Sequence, residues 1–126
     1  QAEQAAALAA QNRTEEQLKY LKEALEFQEF YLEKHDAEQI KLMDSRFHET
    51  LYKLSGSTAF YDTLMPLHKK IQKYRRASVE NRSRAAASVA EHRKIFDAIE
   101  AQDAPLAAKC ASEHVENAYK HIIRKD

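Results

Sequence analysis

Residues 36–56 read DAEQIKLMDSRFHETLYKLSG. Asp36 is a helix cap, with Gln39 three residues on as in a capping box. Ile40, Met43, Phe47, Leu51 and Leu54 then recur every three or four residues. That is one stripe of an α-helix, not the alternation of a strand. Ser55-Gly56 ends it, because glycine takes a left-handed stop without steric cost. Asp44 and His48 are four apart and share the stripe's face. An acid and an imidazole turned toward a core are costly unless something pairs them.

The same reading extends in both directions. Residues 1–11 (QAEQAAALAAQ) predict a first helix. Thr14 opens a second, with Gln17 completing a capping box. Leu18, Leu21, Leu25, Tyr31 and Leu32 keep helical spacing to about His35. On the other side a fourth helix starts near Ser57, with Phe60, Leu64, Leu67, Ile71 and Tyr74 facing inward. Pro66 inside that pattern predicts a kink or the helix's true start. Residues 79–84 (VENRSR) predict the next connection. A fifth helix carries Val89, His92, Ile95, Phe96 and Ile99. Asp103 caps the last, with Pro105 tolerated in its first turn, and Leu106, Cys110, His114, Ala118 and Ile122 run down its inner face. The expected fold is all-α: an antiparallel bundle of about six helices, forming one domain over residues 1–126.

Composition agrees. One Gly and two Pro among abundant Ala, Glu, Lys, Gln and Leu argue against a sheet fold. With 44% hydrophobic and 32% charged residues, the chain does not read as disordered. Twenty basic side chains balance twenty acidic ones, so the basic excess of a domain that grips DNA by itself is missing. Arg75, Arg76, Arg82 and Arg84 form a short basic cluster among Glu80 and Glu91, which reads first as a solvated face. The lone Cys110 allows no internal disulfide and suits a reducing cytosol. No apolar run reaches the length of a membrane span, and residues 1–10 lack the pattern of a signal peptide. A cytoplasmic protein with no membrane partner is expected. The chain opens at Gln1 inside a helical pattern, which reads as a fragment or a processed form.

The informative residues are polar ones on apolar stripes. His92 lies one turn before Ile95 and Phe96. His114 lies one turn after Cys110 and one before Ala118. With Asp44 and His48, three separate helices aim hard-to-bury groups inward. Three imidazoles and a carboxylate suit a divalent transition metal such as Zn, Ni, Mn or Fe. A six-coordinate ion would keep two positions for water or a ligand. The same residues also fit a plainer reading, in which Asp44 and His48 bond each other and the other rings are satisfied in the core. His35, His68 and His121 read as peripheral.

Asp44-Ser45-Arg46-Phe47-His48, with Leu51 and Ser55-Gly56-Ser57, resembles the D-x-x-F-H-x-x-L-x-x-x-S-G-N signature of the FCD domain. That is the C-terminal effector-binding domain of FadR-like, GntR-family regulators. Glu91-His92, Ile95, Ala98-Ile99 and Asp103 are similar to the family's E-H-x-x-I-x-x-A-I-x-x-G-D, and His114 falls where its last histidine falls. Ala5 to Ala10 resemble its first helix. Ser57 stands for the usual Asn and Gln102 for the usual Gly. The resemblance covers nearly the whole chain. It implies a bundle of six or seven helices, with a metal held by Asp44, His48, His92 and His114. It implies a small organic acid as effector, homodimerisation, and DNA contact only through an N-terminal winged-helix domain outside this chain. It implies transcription regulation, not an enzyme.

An arginine near the metal would clamp the acid's far end. Arg75, four after Ile71, is the first candidate, followed by Arg82 and Arg84. Effector binding would draw the ligand-bearing helices together and bias the DNA-binding domain. Two other functions compete. A metal-dependent hydrolytic enzyme would use the site to activate water, but the only base nearby is Glu91, which reads as pointing away. A metal-free helical interaction module would make the histidines structural.

Overall fold

The computed structural model describes the backbone of residues 1–75 and 81–123, and the side chains of residues 1–73 and 83–120. Among the described residues six helices follow in order: α1 (Ala2–Asn12), α2 (Glu15–Glu33), α3 (Ala37–Leu54), α4 (Thr58–Arg75), α5 (Asn81–Glu100) and α6 (Ala104–Ile123). No strand occurs among the described residues. The all-α bundle is the fold that the periodicity predicts.

The helix starts are written in the sequence. Thr14 Oγ1 accepts from the Gln17 N–H at 3.1 Å while Gln17 Oε1 accepts from the Thr14 N–H at 3.2 Å, a complete capping box. Asp36 Oδ1 accepts from the Gln39 N–H at 3.2 Å, and Asp103 Oδ1 from the Leu106 N–H at 3.1 Å. The stops use left-handed residues. Gly56 has φ 77° as expected, but His35 and Gln102 take φ 57° without being glycine. Gln102 also ties the end of α5 to α1, donating from Nε2 to the Ala10 carbonyl at 3.3 Å.

Pro66 lies inside α4, so of its two expected roles it does not mark the helix start. Three expectations are corrected. Residues 81–84 belong to α5 and not to a connection; residues 79 and 80 lie outside the described residues. On α4 the inward side chain is His68, 6% exposed, and not Leu67, 51% exposed. On α6 Leu106 is 44% exposed, and its neighbour Ala107 is the buried residue.

Packing explains where the polar cluster sits. α1 buries Ala5, Ala6, Ala9 and Ala10 completely, so its backbone lies close against α6 and α3. α2 packs on α3 and α5, α3 on α4, and α5 on α6. Phe47, Phe96, Leu21, Leu25, Ile95 and Ile99 fill the centre, each contributing about 1.5–3 kcal/mol by burial. The ring of Phe47 stacks on His92 with centroids 4.5 Å apart. The apolar core thus ends against an imidazole, and beyond it α3, α4, α5 and α6 turn polar side chains toward one another.

Candidate functional site

Each ring in this cluster has its protons assigned by a neighbour. On α3, His48 Nδ1 donates to the backbone carbonyl of Asp44, one turn earlier, at 2.8 Å. On α5, His92 Nδ1 donates to Gln28 Oε1 at 2.8 Å. The Gln28 amide cannot turn round, because its Nε2 donates to the Met43 carbonyl at 2.9 Å. On α6, His114 Nδ1 donates to Glu91 Oε1 at 2.6 Å, and a carboxylate only accepts. In its neutral form each of the three imidazoles therefore carries its lone pair on Nε2.

The lone pairs of His92 and His114 converge. His92 Nε2 faces His114 Nε2 at 3.2 Å. His48, His92 and His114 each bring a ring nitrogen within 4.8 Å of the others. Asp44 Oδ1 stands 3.5 Å from His92 Nε2 and 3.4 Å from His48 Nδ1, buried and without a hydrogen-bond donor. Its other oxygen is occupied, since Gln72 donates to Oδ2 at 2.9 Å. Lone pairs and an anionic oxygen facing one another repel unless a proton or a cation sits among them. The donor set, nitrogen with one carboxylate, is that of a divalent transition metal.

Two corrections concern the surroundings. His68 is not peripheral: its Nε2 lies 3.5 Å from Asp44 Oδ2 and 3.4 Å from Ser45 Oγ, and its ring stacks on His48 at 4.0 Å. Asp44, His48 and His68 form a second close trio of ligand-type atoms. Glu91 does not point away. It accepts from His114, from Arg84 at 2.8 and 3.2 Å, and from Asn117 at 3.0 Å. Arg84 is consequently buried and not part of a solvated face. The side chains of Arg75 and Arg82 lie outside the described residues, as does that of His121. His35 is exposed, though it lines the rim of a cavity beside the cluster.

Burial alone would raise the Asp44 carboxyl, but the surrounding imidazoles, His48 foremost, hold it well below the usual range. Burial also raises Glu91, and the bonds from His114 and Arg84 outweigh it, leaving a pKa of about 2. His92 and His114 fall below the ordinary imidazole range, chiefly because burial disfavours the cation. Neutral rings beside ionised carboxylates are the states in which these groups bind metal.

A cavity of about 510 Å³ opens against Asp44 and His92 and continues between α2, α3 and α5. The structure brings the four expected residues, Asp44, His48, His92 and His114, together. Sequence reasoning missed Gln28, His68 and Glu91 as their supports. Signals existed: Gln28 continues the Leu21–Leu25–Leu32 stripe, His68 lies between Leu64 and Ile71 at helical spacing, and Glu91 is seven residues from Arg84 on one helix face.

Comparison with known proteins assigns the chain to a family. The family model for the FCD domain matches residues 2–117. The chain is also similar to a protein of Streptomyces ambofaciens, described as an uncharacterized HTH-type transcriptional regulator in an unstable DNA locus. Identity is 32% over 89 residues, which is 71% of this chain and 38% of that protein. With the family model matching residues 2–117, the chain belongs to the FCD domain family.

Proposed function

We propose that this domain is the ligand sensor of a transcriptional regulator. In this reading Asp44, His48, His92 and His114 hold a divalent transition metal, Zn, Ni, Mn or Fe, to which a small organic acid binds. Occupancy then controls DNA binding by a winged-helix domain of the same protein, acting as a homodimer in the cytoplasm. One observation carries the reading: His92 Nε2 and His114 Nε2 face each other at 3.2 Å, each with its ring proton committed elsewhere, beside an Asp44 oxygen that accepts no hydrogen bond.

A metal bound there supplies Lewis-acid positions for a carboxylate. The protein's own part is orientation. Gln28 and Glu91 hold the rings of His92 and His114, and Gln72 holds the far oxygen of Asp44, so the donors converge before anything binds. Arg75, at the end of α4, and Arg82, at the start of α5, are proposed partners for the acid.

The test is the metal content of the chain, purified without a His tag or added metal, measured by elemental mass spectrometry. Near one equivalent of a transition metal per chain is expected. Absence of metal, together with no thermal stabilisation by Zn, Ni or Mn, overturns the reading.

A further inference from the structure

Asp44 presents its two oxygens to different neighbours. Oδ1 is turned toward His48 and His92, is buried and accepts no hydrogen bond. Oδ2 is turned toward α4, where Gln72 Nε2 donates to it at 2.9 Å and His68 Nε2 stands 3.5 Å away. His68 and Gln72 are four apart, so they share one face of α4, and His68 is buried.

Neighbouring hydrogen bonds fix a proton on His68 Nε2. Gln72 Nε2 also donates to the Lys41 carbonyl, at 3.1 Å. A carbonyl and a carboxylate only accept, so the amide cannot be turned round. Gln72 Oε1 then takes the hydroxyl proton of Ser45 at 3.1 Å, and a serine has only one to give. Toward His68 Nε2, 3.4 Å away, the Ser45 oxygen can therefore only accept. His68 Nε2 is the donor, its proton shared between Ser45 Oγ and Asp44 Oδ2 as in other three-centre bonds. That is the nitrogen left bare in neutral His48, His92 and His114. Asp44, His48 and His68 stand as close as a set of ligands, but a ring nitrogen that carries a proton offers no lone pair to a cation.

We propose, building on the metal-bridged reading above, that His68 and Gln72 together clamp the outer oxygen of Asp44 and so set which metals the site accepts. With two donors from α4 on Oδ2, Oδ1 alone is left for a cation, and Asp44 serves as a one-oxygen ligand. Three imidazole nitrogens and a single carboxylate oxygen suit Zn or Ni, which bind nitrogen strongly. Mn is a harder ion that favours oxygen-rich sites, and a carboxylate giving both oxygens serves it better. His68 is thus a positioning residue that acts through Asp44. It touches no ion and sorts metals by withholding one oxygen.

The experiment is titration of the full chain, stripped of metal, with Zn and with Mn in competition with a chromophoric chelator. His68→Leu fills similar space without a donor. His68→Gln places an amide nitrogen where the imidazole Nε2 stands and restores one. His68→Leu is expected to lower the ratio of Zn affinity to Mn affinity by roughly tenfold, and His68→Gln to recover the ratio of the unaltered chain. A side chain that only filled space would move both affinities alike. Gln72→Met, which removes the other donor, should shift the ratio in the same direction, and it decides the matter if His68→Leu does not fold. A ratio unchanged by both His68→Leu and Gln72→Met overturns the proposal. So does a His68→Gln chain that behaves like His68→Leu, the result expected of a histidine that ligates the ion itself. An unaltered chain that binds neither Zn nor Mn removes the metal reading and the clamp with it. A chain that binds Zn with a ratio indifferent to these substitutions keeps the metal reading and removes the clamp alone.

Discussion

His92 and His114 hold their Nε2 atoms 3.2 Å apart with neither ring proton between them, because Gln28 and Glu91 take those protons on the outer sides. A folded core that keeps two lone pairs in opposition is less stable than it would be with a cation among them. Metal should therefore stabilise the fold strongly. A free concentration one hundred times the dissociation constant adds about 2.7 kcal/mol, which is on the order of a 10 °C rise in melting temperature for a domain of this size. Thermal denaturation with Zn and then with excess chelator measures it. An unchanged midpoint in both would rule out a metal among these rings.

Gln28 should matter as much as a ligand, although it touches no ion. Gln28→Leu is close in volume but leaves the buried His92 Nδ1–H without its partner and removes the second bond to the Met43 carbonyl. The loss of stability should be about 2 kcal/mol or more, read from urea denaturation. Metal affinity, measured by competition with a chromophoric chelator, should fall by roughly 10- to 100-fold. A destabilised protein with full metal affinity would show that His92 needs no help in facing inward.

Acid should weaken the metal-free domain in two stages. His92 and His114 are held below the ordinary imidazole value of 6.5. The unfolded chain therefore takes up protons first as pH falls below about 6.5, and the folded state loses ground until its own rings protonate. Glu91 is held at about 2 against 4.5. Its contribution is full above pH 4.5 and disappears between 4.5 and 2. Urea midpoints at pH 8, 6, 5 and 4 should fall steadily, with the first decline already present at pH 6. A flat profile down to pH 5 would mean that the histidines are not buried as neutral rings.

Helix stops offer a test away from the cluster. Gly56 sits at φ 77° with only the Asn12 amide nearby, 3.8 Å from where a Cβ would stand. Gly56→Ala should cost about 1 kcal/mol through backbone strain alone. His35, at φ 57°, should respond in the opposite sense, with His35→Gly gaining roughly 0.5 kcal/mol. Paired urea denaturations check both signs, and a gain from Gly56→Ala would refute the left-handed stop.

The fold was legible because local signals and global packing agree. Capping residues at Thr14, Asp36 and Asp103 start helices where they stand in the structure, and apolar spacing between them leaves one arrangement to pack. The four convergent residues were legible because each is a polar interruption of an apolar stripe. Other features were harder to read for physical reasons. On α4, hydropathy favours Leu67 as the inward residue over its neighbour His68, yet one residue is a 100° rotation and the structure buries the histidine. Glu91 looked like solvent-facing charge because its partners, Arg84 and Asn117, are seven and twenty-six residues away. Gln28 pairs with His92 across 64 residues, a contact that no spacing within a helix can show.

The two outer partners of the paired rings are not equivalent. His92 leans on a neutral amide, and His114 leans on an ionised carboxylate that is itself braced by Arg84 and Asn117. An imidazole whose N–H points at an anion gains electron density and becomes the stronger σ-donor. The site is thus electronically lopsided before anything enters it. Were a metal held there, His114 would be the stronger of the two donors to it, and His92 the weaker.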